Sequence, residues 1–271
     1  MTRISRKPNT SAPSLRRALR GLSGEKAPAG LLPAVLGRVG LADRYWRLTS
    51  PVGAVYVAHS KAGISMVSRA RSAAAFERRF RQRFGRRVCA EKGVPPAGLR
   101  ALLRRLKGDE RKSLRFDLRG LSEFEQAVLK KALEIPSGEV RPYAWVAREI
   151  GHPDAVRATG SVLAKNPVPL LIPCHRVVRS DGRLGNYSLG GGHAKRRLLE
   201  VEGARPEMLE ELAAAGVRFL GNAERKSFCF PTCGGVGTLV LSNKIHFGSE
   251  RQAVEAGFHP CRDCRPLPLA A

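Results

Sequence analysis

The chain has 271 residues, 48 Lys plus Arg against 23 Asp plus Glu, and a formal net charge of +25. That excess attracts polyanions, with DNA or RNA the leading partner and an anionic membrane surface a distant second. A hydrophobic share of 43% is ample for a core, and no apolar run approaches membrane-spanning length, so a membrane-crossing helix is set aside. The basic N-terminus is not followed by a continuous apolar segment, so no export signal is expected. The expected location is cytoplasmic, on the nucleoid through DNA.

In chain order, residues 1–41 come first. Positions 1–40 hold eight basic residues and one acidic residue, Glu25, amid Ser, Pro, Gly and Ala. This reads as a basic, disordered arm in loose contact with phosphate. Order should begin near Tyr45. Tyr45 to Leu48 and Ala54 to Ala58 flank a Ser-Pro-Val-Gly turn and predict a hairpin, with Gly63 to Val67 a third strand. Phe76, Phe80 and Phe84 recur every fourth residue and predict one apolar helix face, with Arg78, Arg79, Arg81 and Arg83 solvated. Residues 42–118 are thus expected to form a small α/β N-terminal domain.

A second domain, 119–205, opens with Ser122 and Glu125 in capping-box spacing ahead of a helix. Helices are predicted from Tyr143 to Ile150 and from Ala155 to Lys165, across the tight turn Gly151-His152-Pro153-Asp154. That pairing has the form of a helix-turn-helix. The run Pro169-Leu170-Leu171-Ile172-Pro173-Cys174-His175-Arg176-Val177 then delivers a cysteine beside a histidine. A thiol becomes a nucleophile when an imidazole can take its proton. Taken alone, the run fits two readings, a reactive cysteine or a buried one beside an unrelated histidine. On an extended segment neighbouring side chains point apart, so a Cys174–His175 link would run through water. A turn-rich stretch, 179–186, and Gly190 to Gly192 lack the spacing of a phosphate-binding loop. A helix is expected from Ala194 to Val201. Glu202 at its end is either solvated or, turned inward, the third member of a Cys/His/Glu relay.

Four of the six cysteines fall in two close pairs, Cys229/Cys233 and Cys261/Cys264, with twenty-seven residues between the pairs. In a chain with no expected export signal, this spacing favours one tetrahedral Zn2+ over disulfides. His246 or His259 as a substitute ligand, and a redox pair at Cys261/Cys264, are the alternatives. A unit this small needs such a staple. Ser249 and Gln252 predict a capped helix that ends at Gly257.

The stretch Tyr143 to Glu202 resembles the methylated-DNA–protein-cysteine methyltransferases, the O6-alkylguanine-DNA repair proteins. The run Asn166 to Val178 carries the family signature almost letter for letter. The resemblance implies an α/β (α+β) N-terminal domain followed by a mainly helical, winged helix-turn-helix-like catalytic domain. It also implies a single-turnover alkyltransferase that moves the alkyl group of O6-alkylguanine, with O4-alkylthymine as a further substrate, from duplex DNA to its own cysteine by base flipping. On this resemblance Cys174 is the alkyl acceptor and His175 activates it through water, with Glu202 behind the histidine. Asn166 orders the active-site turn, and Tyr143 assists protonation of the leaving guanine. Arg157 fills the vacated base stack, while Tyr187 and Ser188 line the alkylguanine pocket. The run from Ser188 to Lys195 looks one residue longer than in many relatives, which loosens the match at Ser188. The alternative is a non-enzymatic binder of alkylated-DNA lesions; such proteins lack the acceptor cysteine.

Residues 216–268 resemble the metal-binding domain of the adaptive-response protein Ada, through Phe230-Pro231-Thr232-Cys233 and Glu255 to Pro266. That resemblance implies a small zinc-stapled α/β domain with Cys229, Cys233, Cys261 and Cys264 as ligands of one zinc. It makes Cys229 the candidate acceptor of methyl groups from backbone phosphotriesters. The zinc unit follows the transferase body here instead of preceding it, and no segment matches the AraC-type regulatory helices, which argues against a transcriptional role. No obligatory protein partner is expected.

Overall fold

The computed structural model describes residues 31–39, 42–105, 110–236 and 244–266. Most of the expected basic arm lies outside these residues. Its end does not match the expectation: Leu31–Arg38 forms a helix, α1, whose Gly37 sits against the Arg44 side chain of the first strand.

The N-terminal domain is a four-stranded sheet of β1 (Ala42–Ser50), β2 (Gly53–Ser60), β3 (Gly63–Ser68) and β4 (Arg87–Ala90), in the order β3-β2-β1-β4. The two hairpins are antiparallel, and β4 pairs parallel to β1. Helix α2 (Ala73–Phe84) makes the crossover. Ser72 caps its start and Gly85, at φ 67°, closes its end in the left-handed region that favours glycine. Phe76 and Phe80 are fully buried on Tyr45 and Tyr56, as the fourfold spacing predicts. Strand β4 and helix α3 (Ala97–Arg105) were not anticipated.

The catalytic domain opens with α4 (Glu123–Glu134), and the Ser122/Glu125 capping box is present in both directions. The helix pair is α5 (Tyr143–Glu149) and α6 (Val156–Ala164). Two-residue strands β5 (Arg141–Pro142) and β6 (Val177–Val178) pair in parallel, so they form no antiparallel wing hairpin. Helix α7 (Gly191–Val201) begins three residues before the expected Ala194. One further helix, α8 (Pro206–Ala214), fills the expected gap between domains, with Leu209, Leu212 and Ala213 buried.

The last unit is a second four-stranded sheet of β7 (Phe219–Asn222), β8 (Ser227–Cys229), β9 (Ile245–Phe247) and β10 (His259–Pro260), in the order β10-β8-β7-β9. Helix α9 (Glu250–Glu255) is capped by Ser249, and Gly257 at φ 81° turns the chain back, both as expected. One apolar core runs through all three units, from Val55 and Leu103 through Leu171 and Leu198 to Phe228 and Ala253. The last unit is therefore packed onto the second domain. No described helix is long and apolar enough to cross a membrane.

Candidate active site and metal centre

The run after α6 folds on itself. Ile172 N donates to Val168 O (2.9 Å), and Leu170 is forced to φ 75°, a left-handed conformation costing about 1–3 kcal/mol in a non-glycine residue. The Asn166 side chain holds this turn from inside. Its Oδ1 accepts from Val168 N (2.9 Å), and its Nδ2 donates to Ile172 O (3.0 Å) and to the Cys174 sulfur (3.2 Å). Cys174 and His175 sit in a short 3-10 turn, Cys174–Arg176, and not on an extended segment as the sequence suggested. The kink follows from Pro173, whose carbonyl accepts from Arg176 N (2.9 Å).

His175 is fully buried. Its Nε2 faces Glu202 Oε1 at 2.9 Å, and its Nδ1 has no protein partner. Burial pushes the imidazole below its ordinary pKa, against the opposing pull of Glu202, so the ring is neutral near pH 7. A neutral ring beside a carboxylate carries its proton on Nε2, leaving Nδ1 as an acceptor. Burial raises the Cys174 thiol, while the Asn166 hydrogen bond and the charge of Lys195 pull it down. The net effect is upward, so the thiol rests protonated and needs a base.

Glu202 is buried, as the relay reading requires, and it does more than orient His175. Arg111 Nη2 (2.7 Å to Oε1) and Arg176 Nε (2.7 Å to Oε2) both donate to it. Burial alone would raise its carboxyl, but His175 and Arg176 outweigh burial and hold it well below the usual carboxylate range. Arg111 comes from the segment between the two domains, so this carboxylate also ties the domains together.

Sequence reasoning missed Lys195. It is fully buried in α7, and its Nζ donates to Val177 O (2.6 Å) and to Leu184 O. Burial pushes its pKa down to about 8, with Cys174 pulling the other way. The signal was there: with a helix starting at Gly191, Lys195 falls on the face of Ala194, Leu198 and Leu199. Arg111 had no such signal, since it lies in a charged run.

The other expected residues gather around the same centre. Tyr143 opens α5, half-buried against Gly160 of α6. Burial and then the nearby Cys174 raise its phenol, keeping it a proton donor. The buried Tyr187 ring stands edge-on to His175, with centroids 5.9 Å apart. Ser188 is exposed and shares a groove with Asn166 and Pro169. Arg157 is exposed in the first turn of α6.

The four cysteines of the last unit converge as their spacing predicts. Their sulfurs all lie within 4.8 Å of one another, and all four residues are buried. A tetrahedral zinc with Zn–S of about 2.3 Å places its sulfurs about 3.8 Å apart, so the set fits this metal. Cys229 and Cys233 flank the β8 end, and Cys261 and Cys264 lie beyond β10. Neither His246 nor His259 belongs to the cluster. The site abuts the helix pair. Trp145 Nε1 of α5 donates to Cys264 O (2.9 Å), Arg148 donates to Arg265 O and Pro266 O, and Glu149 pairs with Arg265 (2.6 Å). On the other side Val140 N donates to Thr232 Oγ1 (2.8 Å).

Residues 123–204 match the family model described as the 6-O-methylguanine DNA methyltransferase, DNA binding domain, and residues 210–266 match the metal binding domain of Ada. A methylated-DNA–protein-cysteine methyltransferase of Mycobacterium tuberculosis is 47% identical over 89 residues, 33% of this chain and 53% of that protein. One from Rattus norvegicus is 43% identical over 106 residues, 39% of this chain and 49% of that protein. The chain thus spans about half the length of these curated relatives. Among solved structures, Mycobacterium tuberculosis OGT in complex with DNA aligns at 28% identity and a TM-score of 0.46, covering 62% of this chain and 98% of that one. Residues 123–204 are thus similar to the DNA-binding domain of the 6-O-methylguanine DNA methyltransferases, and residues 210–266 to the metal-binding domain of Ada.

Proposed function

We propose that this chain is a single-turnover DNA alkyltransferase that takes the alkyl group of O6-alkylguanine in duplex DNA onto Cys174. The observation that carries this reading is the Asn166–Cys174–His175–Glu202 constellation, set beside the helix pair α5/α6. The Cys174 proton passes to His175 Nδ1 through an intervening water, and Glu202 stabilises the imidazolium that forms. The thiolate sulfur attacks the alkyl carbon. An S–C bond forms, the C–O6 bond breaks, and its electron pair leaves with guanine, which takes a proton from the Tyr143 side. A base within a duplex hides this carbon, so the nucleotide must be extruded, and Arg157 is placed to occupy the gap. The thioether is a poor leaving group, and among the described residues no second cysteine lies in this site, so each chain reacts once. O4-alkylthymine presents a similar alkyl–oxygen bond and is proposed as a second substrate.

Cys229, Cys233, Cys261 and Cys264 would hold the zinc, which when bound keeps thiols deprotonated. We assign Cys229 as an acceptor of methyl from backbone phosphotriesters, the C–O bond breaking to leave a phosphodiester anion. Mass spectrometry of peptides tests both assignments. Duplex carrying O6-methylguanine should add one methyl per chain on Cys174, and Cys174→Ala should abolish it while DNA binding persists. Duplex carrying a methylphosphotriester should add one on Cys229. A methyl found on Cys174 alone would reduce the zinc unit to a DNA-holding element. No methyl on Cys174 would favour the lesion-binding alternative.

A further inference from the structure

The helix face that the sequence assigned to solvent borders the site. A cavity of ≈ 300 Å3 lies between the two domains. One wall is the end of β3 and the flank of α2, with Arg69, Arg79 and Arg83. The other is the active-site turn and the following loop, with Asn166, Pro169 and Ser188. Of the described residues that line it, none is Asp or Glu.

The three guanidinium groups are positioned without being neutralised. Arg79 Nη1 donates to Ser68 Oγ (2.8 Å) and to Arg69 O (3.0 Å), and Arg83 Nη2 donates to Lys165 O at the end of α6. All these acceptors are uncharged. The Arg69 guanidinium lies against Gly190: a Cβ there would come within 3.2 Å of its Nη1, and Gly190 already stands at φ 134°. Some arginines nearby are held by carboxylates. Arg86 binds Asp43 (2.8 Å) and Asp117 (3.1 Å), and Arg119 binds Asp117 (2.7 Å). The three groove arginines are an exception to that pairing, since none forms an ion pair with a carboxylate among the described residues that line the groove.

Position gives the exception a purpose. Asn166, which lines the groove, also donates to the Cys174 sulfur (3.2 Å). A nucleotide extruded toward Cys174 drags its own phosphates to the rim of this pocket. Guanidinium forks match phosphate oxygens in geometry and charge, and all three side chains are exposed and so within reach of a strand. Burial lowers the Arg83 pKa and outweighs the opposing pull of Glu125, which does not line the groove.

We propose that Arg69, Arg79 and Arg83 form a phosphate clamp in the N-terminal domain that grips the backbone of the lesion-bearing strand beside the acceptor thiol. The clamp rests on the alkyltransferase reading for its purpose but is tested by binding alone. It adds a second point of DNA attachment, independent of α6. Extrusion then proceeds against a strand held on both sides of the pocket.

The test uses the full chain and a duplex with or without one O6-methylguanine. Arg69→Ala and Arg83→Ala are compared with Arg78→Ala and Arg81→Ala, which remove the same charge from the outer flank of α2. Plots of log Kd against log salt should flatten by about 0.9 for each groove arginine lost, and by clearly less for each outer one. Transfer from duplex should fall about tenfold relative to transfer from free O6-methylguanine base, which has no phosphate. Arg83→Lys should restore most of the slope, and thermal melting establishes that each variant is folded. Equal slopes for groove and outer variants would overturn the clamp, as would equal slowing with duplex and free base. A wild-type chain that transfers nothing yet shows the difference in slope would sink the alkyltransferase reading and leave the clamp standing.

Discussion

Replacing Glu202 with Gln should cost the chain about 3–5 kcal/mol, because it strips a shared carboxylate from two buried arginines. The Glu202 side chain has no exposure, and those of Arg111 and Arg176 have 2% and 1%. Glutamine keeps the volume and one acceptor, but its amide nitrogen must face donors. If it takes the place of Oε2, it meets Arg176 Nε at 2.7 Å; if it takes the place of Oε1, it meets His175, Arg111 and Arg176 together. Either way at least one charge-assisted bond, worth about 1.5–3 kcal/mol, becomes a donor–donor contact. Both buried arginines lose this counter-charge as well. Whole-domain stability is about 5–15 kcal/mol, so the loss is a large fraction of it. Urea denaturation at pH 7, followed by circular dichroism, reads it directly. The sign with pH is fixed by the depressed carboxyl. Its contribution is complete above the ordinary value of 4.5 and is lost as pH falls below that, so wild type and variant should converge in acid. A loss under about 1 kcal/mol at pH 7, or a gap that persists undiminished in acid, would refute the view of Glu202 as the charge hub of the site.

Lys195→Met should shift the pH midpoint of Cys174 alkylation by iodoacetamide upward, since it removes a cation that favours the thiolate; an unchanged midpoint would deny Lys195 that role. The lysine's folded-state pKa of about 8 lies below its ordinary 10.5, so wild type should gain stability between those pH values, and the variant should not. Asn166→Ala removes three hydrogen bonds from the turn strained at Leu170 and should cost about 1–3 kcal/mol along with most of the transfer activity. A melting temperature equal to that of wild type would show that the turn holds itself. Stripping the metal with a chelator should shift Trp145 emission in a Trp46→Phe background, because the Trp145 indole donates to the carbonyl of Cys264. Unaltered emission after complete metal loss would mean that the contact does not depend on the zinc centre.

Local signals carried the elements they govern. The Ser122/Glu125 box, the fourfold Phe spacing and the Gly257 turn each act within a few residues, and each stands where its chemistry puts it. The paired cysteines were legible because metal geometry demands convergence whatever the intervening fold. Features that depend on distant partners were not legible. Strand β4 has four residues and exists through its parallel pairing with β1, and α8 is defined by the core it covers. The local conformation at Cys174–His175 was misjudged because Pro173 and the Asn166 clamp replace an extended segment with a 3-10 turn. Arg111 reaches Glu202 across 91 positions of sequence, a separation at which no spacing pattern exists to be read.

The junction between the two matched domains bears on how they work together. Helix α5 presents Tyr143 toward Cys174 at its first turn and Trp145 and Arg148 toward the cysteine cluster immediately after. One seven-residue helix therefore reaches both sites, and α5 cannot tilt without moving a partner in each. The zinc unit contributes buried core to the same body through Phe228, Phe230 and Phe247. Two domains joined only by a linker would leave the metal free to vary without effect on the thiol. Here the carbonyls of Cys264, Arg265 and Pro266 hold the Trp145 and Arg148 side chains of α5, so the cysteine-bearing unit is tied to the helix pair whatever chemistry Cys229 performs. That arrangement also accounts for α8. By packing Leu209 and Leu212 against the body between the two units, it turns the connection from a tether into part of the interface.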